Sequence, residues 1–184
     1  MTREERIRSL ARRHVEELSA ATTPATRAVE PDSKVSRIAV GADHGGFDLK
    51  ETLAAHLAEQ GYRMVDCGTH SSESVDYPDF AAAVARRVAD GECDAGIIVD
   101  GAGIGSAMVA NKVPGVRAAL CYDISSARNS REHNHANVLT LGAGLIGRGL
   151  ALQIADAWLA TPWGPGRHAQ RVDKITEVER EYLR

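Results

Sequence analysis

Asp100 and the glycines that follow it are the residues of this chain best arranged to move a proton. They lie in Gly96-Ile-Ile-Val-Asp-Gly-Ala-Gly-Ile-Gly-Ser-Ala-Met-Val-Ala-Asn-Lys112. This stretch predicts a buried strand over 96–99 that ends on Asp100, a turn with Gly101, Gly103 and Gly105, and a short helix over about 106–111. The apolar run is short and β-branched, which suits a parallel strand covered on both faces. Glycines permit positive φ and close backbone approach. Backbone N–H groups that converge on one small space hold a negatively charged oxygen. An acid beside such a cradle is placed to take and return a proton. The plainer alternative is a solvated Asp in an ordinary strand-to-helix turn.

Three other polar groups carry chemistry. Asp43-His44-Gly45-Gly46 follows a strand, and a histidine there can bind phosphate or relay a proton near neutral pH; for Asp43, capping the next helix is the alternative. Arg131-Glu-His-Asn-His135 is a dense polar run at a helix end. From it His133 and Asn134 can reach a ligand, although a helix C-terminus favours a histidine in any case. Arg167-His-Ala-Gln-Arg171 sets two arginines at i, i+4. They share a helix face and are spaced to grip one phosphate, or else form a solvated basic patch. Metal ligation is disfavoured. His133 and His135 diverge on a helix, and Cys67, Cys93 and Cys121 lack C-x-x-C spacing. The run Gly101-Ala-Gly-Ile-Gly105 is G-x-G-x-G after a third strand, which argues against a dinucleotide fold.

These groups need a scaffold, and from residue 35 the chain alternates β and α. Strands are predicted over 37–41, 62–66, 96–99, 116–120 and 138–141. Helices are predicted over 47–60, from Pro78 onward, 106–111, 125–133, 147–159 and 167–183. Alternation of this kind implies a Rossmann-like three-layer α/β sandwich, a five-stranded parallel sheet with helices on both faces. The expected strand order is 2-1-3-4-5. Ligands in such sheets bind outside the carboxyl ends of the strands where the order reverses, which brings Asp43, His44 and Asp100 to one crevice.

The 184 residues, 43% of them hydrophobic, suit one domain with a full core. A net charge of −3 and 4% aromatic residues speak against nucleic acid as a partner. No apolar run nears the length of a membrane span, and three cysteines point to a reducing cytoplasm. Ahead of the domain, residues 1–18 read as an amphipathic helix with Ile7, Leu10, Ala11, Val15 and Leu18 on one face. Residues 19–36 read as a linker, and residues 37–184 form the domain. The helix either packs on a subunit or docks its apolar stripe into a groove on a partner.

The pieces Gly41-Ala-Asp-His-Gly-Gly-Phe-Asp-Leu-Lys50, Asp76-Tyr-Pro78, Gly101 to Lys112, Arg131-Glu-His-Asn134 and Gly166-Arg-His-Ala-Gln-Arg171 together resemble the type B ribose-5-phosphate isomerase family, which includes galactose-6-phosphate isomerase subunits. The resemblance implies a Rossmann-like fold and a homodimer or homotetramer with its active site between subunits. It implies no metal or cofactor, and aldose–ketose isomerisation of sugar phosphates through an enediolate. Carried over by position, Asp43 and His44 would bind substrate and assist ring opening. His133 would help open the ring and Asn134 would hold substrate. Arg167 and Arg171 would bind the phosphate, and Gly101, Ala102, Gly103, Ile104 and Gly105 would stabilise the enediolate oxygen. Asp100 stands where many members carry a cysteine as carbon base. Ser106 stands where others carry a glutamate, and Ala102 where a hydroxyl residue is usual. The substrate implied is ribose 5-phosphate, with a four-carbon 4-phosphate sugar or a non-catalytic sugar-phosphate sensor as alternatives. The N-terminal helix and linker resemble encapsulation peptides of bacterial microcompartments, which would make a shell protein a partner.

Overall fold

The computed structural model describes residues 35–183. The helix expected over 1–18 and the linker over 19–36 lie outside the described residues, apart from 35 and 36. Ser36 already belongs to the domain, because its backbone N–H donates to Asp94 at 2.9 Å.

The strands are β1 (Arg37–Ala42), β2 (Arg63–Asp66), β3 (Ala95–Asp100), β4 (Ala118–Leu120) and β5 (Val138–Gly142). The helices are α1 (Phe47–Glu59), α2 (Tyr77–Ala89), α3 (Ile104–Ala110), α4 (Ile124–Asn134), α5 (Arg148–Ala160) and α6 (Arg167–Tyr182). Every strand pairing is parallel. The three-layer α/β architecture is the one the alternation predicted. The sheet order is β2-β1-β3-β5-β4, so the last two strands exchange places relative to the predicted 2-1-3-4-5. Burial explains the exchange. β5, Val-Leu-Thr-Leu-Gly, is buried along its whole length and needs neighbours on both sides. β4 is three residues long and half-buried, which suits an edge. The reversal of chain direction between β1 and β3 is unaffected.

The period-two alternation of the strands sorts the core into two layers. Ile38, Val40, Ile97, Val99, Leu139 and Leu141 pack against Leu49, Leu53 and Leu57 of α1 and Ile154 and Trp158 of α5. On the opposite face Ala39, Ile98 and Val138 meet Ala81, Val84, Ala85 and Val88 of α2. α2 lies so close that a Cβ on Gly41 would sit 2.8 Å from Val84 Cγ2.

Because the strands are parallel, their carboxyl ends form one edge of the sheet. The loops 43–46, 67–76, 101–103, 121–123 and 143–147 lie there. The helices return to the amino edge, which carries 111–117, 135–137, 161–166 and the start of α6. Lys50 braces the carboxyl edge. Its side chain is fully buried, and its ammonium bonds both Asp66 oxygens at 3.0 and 2.9 Å and Thr69 O at 2.8 Å. That network ties the end of β2 and the loop after it to the first turn of α1. No helix among the described residues is long and apolar enough to cross a membrane.

Candidate active site

β1 and β3 deliver Asp43 and Asp100 to the same crevice. The Asp43 N–H donates to Val99 O at 3.2 Å, and a Cβ on Gly45 would lie 3.5 Å from Asp43 Oδ1 and 3.8 Å from Gly101 N. Asp43 is buried, and its Oδ1 accepts from Gly46 N at 2.9 Å. It therefore closes the turn into α1 while flanking the glycine loop. His44 is exposed, with Nδ1 3.2 Å from Val75 O and 3.3 Å from Val75 N.

Asp100 is 5% exposed, and its carboxylate faces inward on its own loop. Oδ1 accepts from Ala102 N at 2.7 Å and from Gly103 N. Oδ2 accepts from Ser106 N at 3.1 Å and from Ser106 Oγ. An ionised carboxylate offers about four lone-pair positions, and four donors take them. The amide cradle anticipated for a substrate oxygen is thus filled by the carboxylate beside it. Helix α3 also begins earlier than expected, at Ile104. Ile104, Gly105 and Ser106 consequently form its first turn, and the turn proper is Gly101, Ala102 and Gly103. Gly103 takes φ 77°, ψ −10°, and a Cβ there would meet Leu120 Cδ1 at 2.5 Å. Only glycine fits both conditions.

A second group gathers at the amino edge. α4 runs back from β4 and ends at Asn134 just before β5, so His133 and Asn134 lie at the start of β5. Arg167 and Arg171 occupy the first turns of α6, both exposed, and neither pairs with a carboxylate among the described residues. The His133 and His168 rings stack with centroids 4.2 Å apart and 9° between planes. Loss of water around its ring, and then the positive neighbours His133 and Arg167, lower the pKa of His168. Its Nδ1 is buried without a hydrogen-bond partner. Underneath, Arg131 is wedged with its guanidinium 4.6 Å from the Trp158 ring and 5.4 Å from the Trp163 ring. It donates to Thr161 O at 3.3 Å and Ala136 O at 2.6 Å. Burial, and then Arg117, push its pKa down to about 10. Arg131 thereby pins the end of α4 to the loop that leads into α6. Glu132, His133 and His168 place ligand atoms within 4.8 Å of one another. Parallel stacked imidazoles direct their lone pairs in separate planes, however, and do not converge on one ion.

The two groups do not meet within one chain. A strand rises about 3.3 Å per residue, so the six residues of β3 alone separate the edges by roughly 20 Å. Asp43, His44, Asp100 and the loop 101–105 stand at one edge, and His133, Asn134, Arg167 and Arg171 at the other. Sequence reasoning passed over His168, whose only signal was its place between the two arginines. It also passed over Lys50, Arg131 and Tyr122, whose roles depend on loops meeting in space. Cys67, which follows β2, has its pKa raised by burial and stays a neutral thiol, a poor proton acceptor.

Comparison with known proteins identifies the family. Residues 38–175 match the model of the ribose/galactose isomerase family. The chain is 48% identical over 145 residues to ribose-5-phosphate isomerase B of Escherichia coli (strain K12), covering 79% of this chain and 97% of that one. Ribose-5-phosphate isomerase B of Clostridium thermocellum superposes with a TM-score of 0.78 at 53% identity, over 79% of this chain and 99% of the other. The type B ribose 5-phosphate isomerase of Trypanosoma brucei superposes with a TM-score of 0.75 at 46% identity, over 78% and 99%. With the family matched over three-quarters of its length and relatives close to half identical, the chain belongs to the ribose/galactose isomerase family and is an aldose–ketose isomerase of sugar phosphates.

Proposed function

We propose that the protein interconverts ribose 5-phosphate and ribulose 5-phosphate at a site completed by two copies of the chain. Similarity to ribose-5-phosphate isomerase B supports the pentose, and the separation of the two residue groups on opposite edges of the sheet supports the shared site. A two-fold pair that sets the carboxyl edge of one copy against the amino edge of the other makes two complete sites. Exposed apolar side chains on α3 and on the loop after β5 support such a pair: Met108 is 63% exposed, Ile104 45% and Leu145 60%.

In this reading Arg167 and Arg171 hold the phosphate, and His133 and Asp43 move the protons that open the furanose. His44 and Asn134 hold the sugar hydroxyls. Asp100 removes the proton from C2 of the open aldose and returns it to C1, while the hydroxyl proton passes from O2 to O1 and the charge between the two steps rests on an enediolate oxygen. To accept that proton Asp100 must release one donor. The Ser106 hydroxyl is the one that can rotate away without moving the backbone. No step calls on a metal or cofactor.

Purified protein assayed with ribose 5-phosphate and erythrose 4-phosphate, with and without a chelator, tests the reading. Turnover of the pentose that survives chelation is expected. Turnover of the tetrose alone would favour the second reading, which Ala102 motivates: it puts no hydroxyl at the cradle, and a 4-phosphorylated tetrose needs no ring opening. Binding without turnover of either would mark a sensor. Arg171→Ala should raise KM roughly 10- to 100-fold, the loss of one charge-assisted contact to phosphate. An unchanged KM would remove Arg171 from the phosphate site.

For residues 1–36 we infer a targeting role, with the apolar stripe of 1–18 docking on a microcompartment shell protein in the bacterial cytoplasm. Fused to a fluorescent protein and expressed with shells, this segment is expected to give punctate fluorescence. Diffuse signal would count against the role.

A further inference from the structure

The Ala102–Gly103 peptide is held on both sides. Its N–H, on Gly103, donates inward to Asp100 Oδ1. Its C=O, on Ala102, accepts from Tyr122 Oη at 2.9 Å. Tyr122 comes from the loop between β4 and α4, 20 residues away in sequence. That loop is itself fixed by the capping box in which Ser126 N donates to Asp123 Oδ1 at 2.7 Å.

A trans peptide points its C=O and N–H in opposite directions. Whatever holds the carbonyl outward therefore holds the N–H inward. Gly103 at φ 77°, ψ −10° has the conformation of the third residue of a type II turn. The type I alternative differs by turning that same central peptide over. A glycine there adopts either state with little penalty. In the turned-over state the Ala102 carbonyl would face the Asp100 carboxylate and repel it.

We propose that Tyr122 is a positioning residue that locks this peptide with its N–H on Asp100 Oδ1, so that the carboxylate is held in place to take the substrate proton. The inference rests on the reading of Asp100 as the carbon base. The phenol hydroxyl acts through the Ala102 carbonyl and does not itself touch substrate. In a chain with Ala102 at the cradle, the loop has no side-chain hydroxyl of its own at that position, and the restraint comes from outside it.

Tyr122→Phe removes the hydroxyl and keeps the ring. Two measurements on the full chain decide the matter. Amide hydrogen exchange of Gly103, followed by NMR in the ligand-free protein, is expected to quicken by about 2- to 10-fold, the worth of one neutral hydrogen bond. The kcat for isomerisation is expected to fall by about the same factor with KM unchanged, because the placement of the base matters in the proton-transfer step and not in binding. The melting temperature should stay within a few degrees of wild type. Unchanged exchange at Gly103 overturns the lock, and faster exchange with unchanged kcat overturns its catalytic value. A uniform rise in exchange across the domain, or a rise in KM alone, would mean a merely structural or binding role and likewise overturns the proposal. Should wild-type protein turn over no sugar phosphate, the reading of Asp100 as carbon base fails, and the exchange measurement still decides whether Tyr122 holds the peptide.

Discussion

Replacing Asp100 with asparagine should lower kcat by about 10²–10⁴-fold, the usual worth of a general base, and change KM little. The variant is chosen to preserve the loop. The asparagine oxygen can still accept from Ala102 N and Gly103 N, the donors now serving Oδ1. Its NH2 would face Ser106, whose hydroxyl can turn and become the acceptor. One backbone donor, Ser106 N, loses its partner, so a modest fall in melting temperature is expected beside the large fall in rate. The measurement that isolates the role is solvent deuterium exchange at the substrate carbon next to the carbonyl. If Asp100→Asn exchanges that proton as fast as wild type, Asp100 is a loop anchor only, and the base must be sought at His44. Asp100→Cys should recover part of the lost rate, since a thiolate at the end of β3 is the arrangement implied by many members of the family.

How much of this was legible in the sequence follows from how local each feature is. Strands and helices alternate with clear periods, so element existence and the β1–β3 reversal could be read directly, and with them the meeting of Asp43 and Asp100. The exchange of β4 and β5 could not. Val116-Arg-Ala-Ala-Leu120 reads as a strand of the same length as β5, and only the packed sheet reveals that three of its residues pair and that these are half-buried. The location of His133 was legible in principle, because a helix that ends just before a parallel strand must end at the amino edge. The orientation of the Asp100 carboxylate was not, since it depends on which way the amides of Ala102, Gly103 and Ser106 point. The stacking of His168 on His133 joins α6 to α4 across the loop 161–166, a contact with no periodic signature.

The separation of the two groups has a consequence that a mixing experiment can read. In a two-fold pair each site would take Asp100 from one copy and His133 from the other. Asp100→Asn and His133→Ala should each fall to about 1% of wild-type activity or less, within the usual range for loss of an acid–base group. When the two variants are unfolded and refolded together, or coexpressed, random pairing makes about half of the pairs mixed. In a mixed pair one site carries both defects and the other carries neither. About a quarter of wild-type activity should therefore return, some 25-fold above either parent. If Asp100 and His133 served the same site from the same chain, no mixed pair would contain an intact site, and activity would stay at the mean of the parents. The His133→Ala variant also removes the ring stacked on His168. Mixing Asp100→Asn with Arg171→Ala provides an independent second pair, in which recovery appears as a population of sites with wild-type KM. Recovery in neither mixture would place the whole reaction at one edge of a single sheet and leave the amino-edge histidines and arginines outside it.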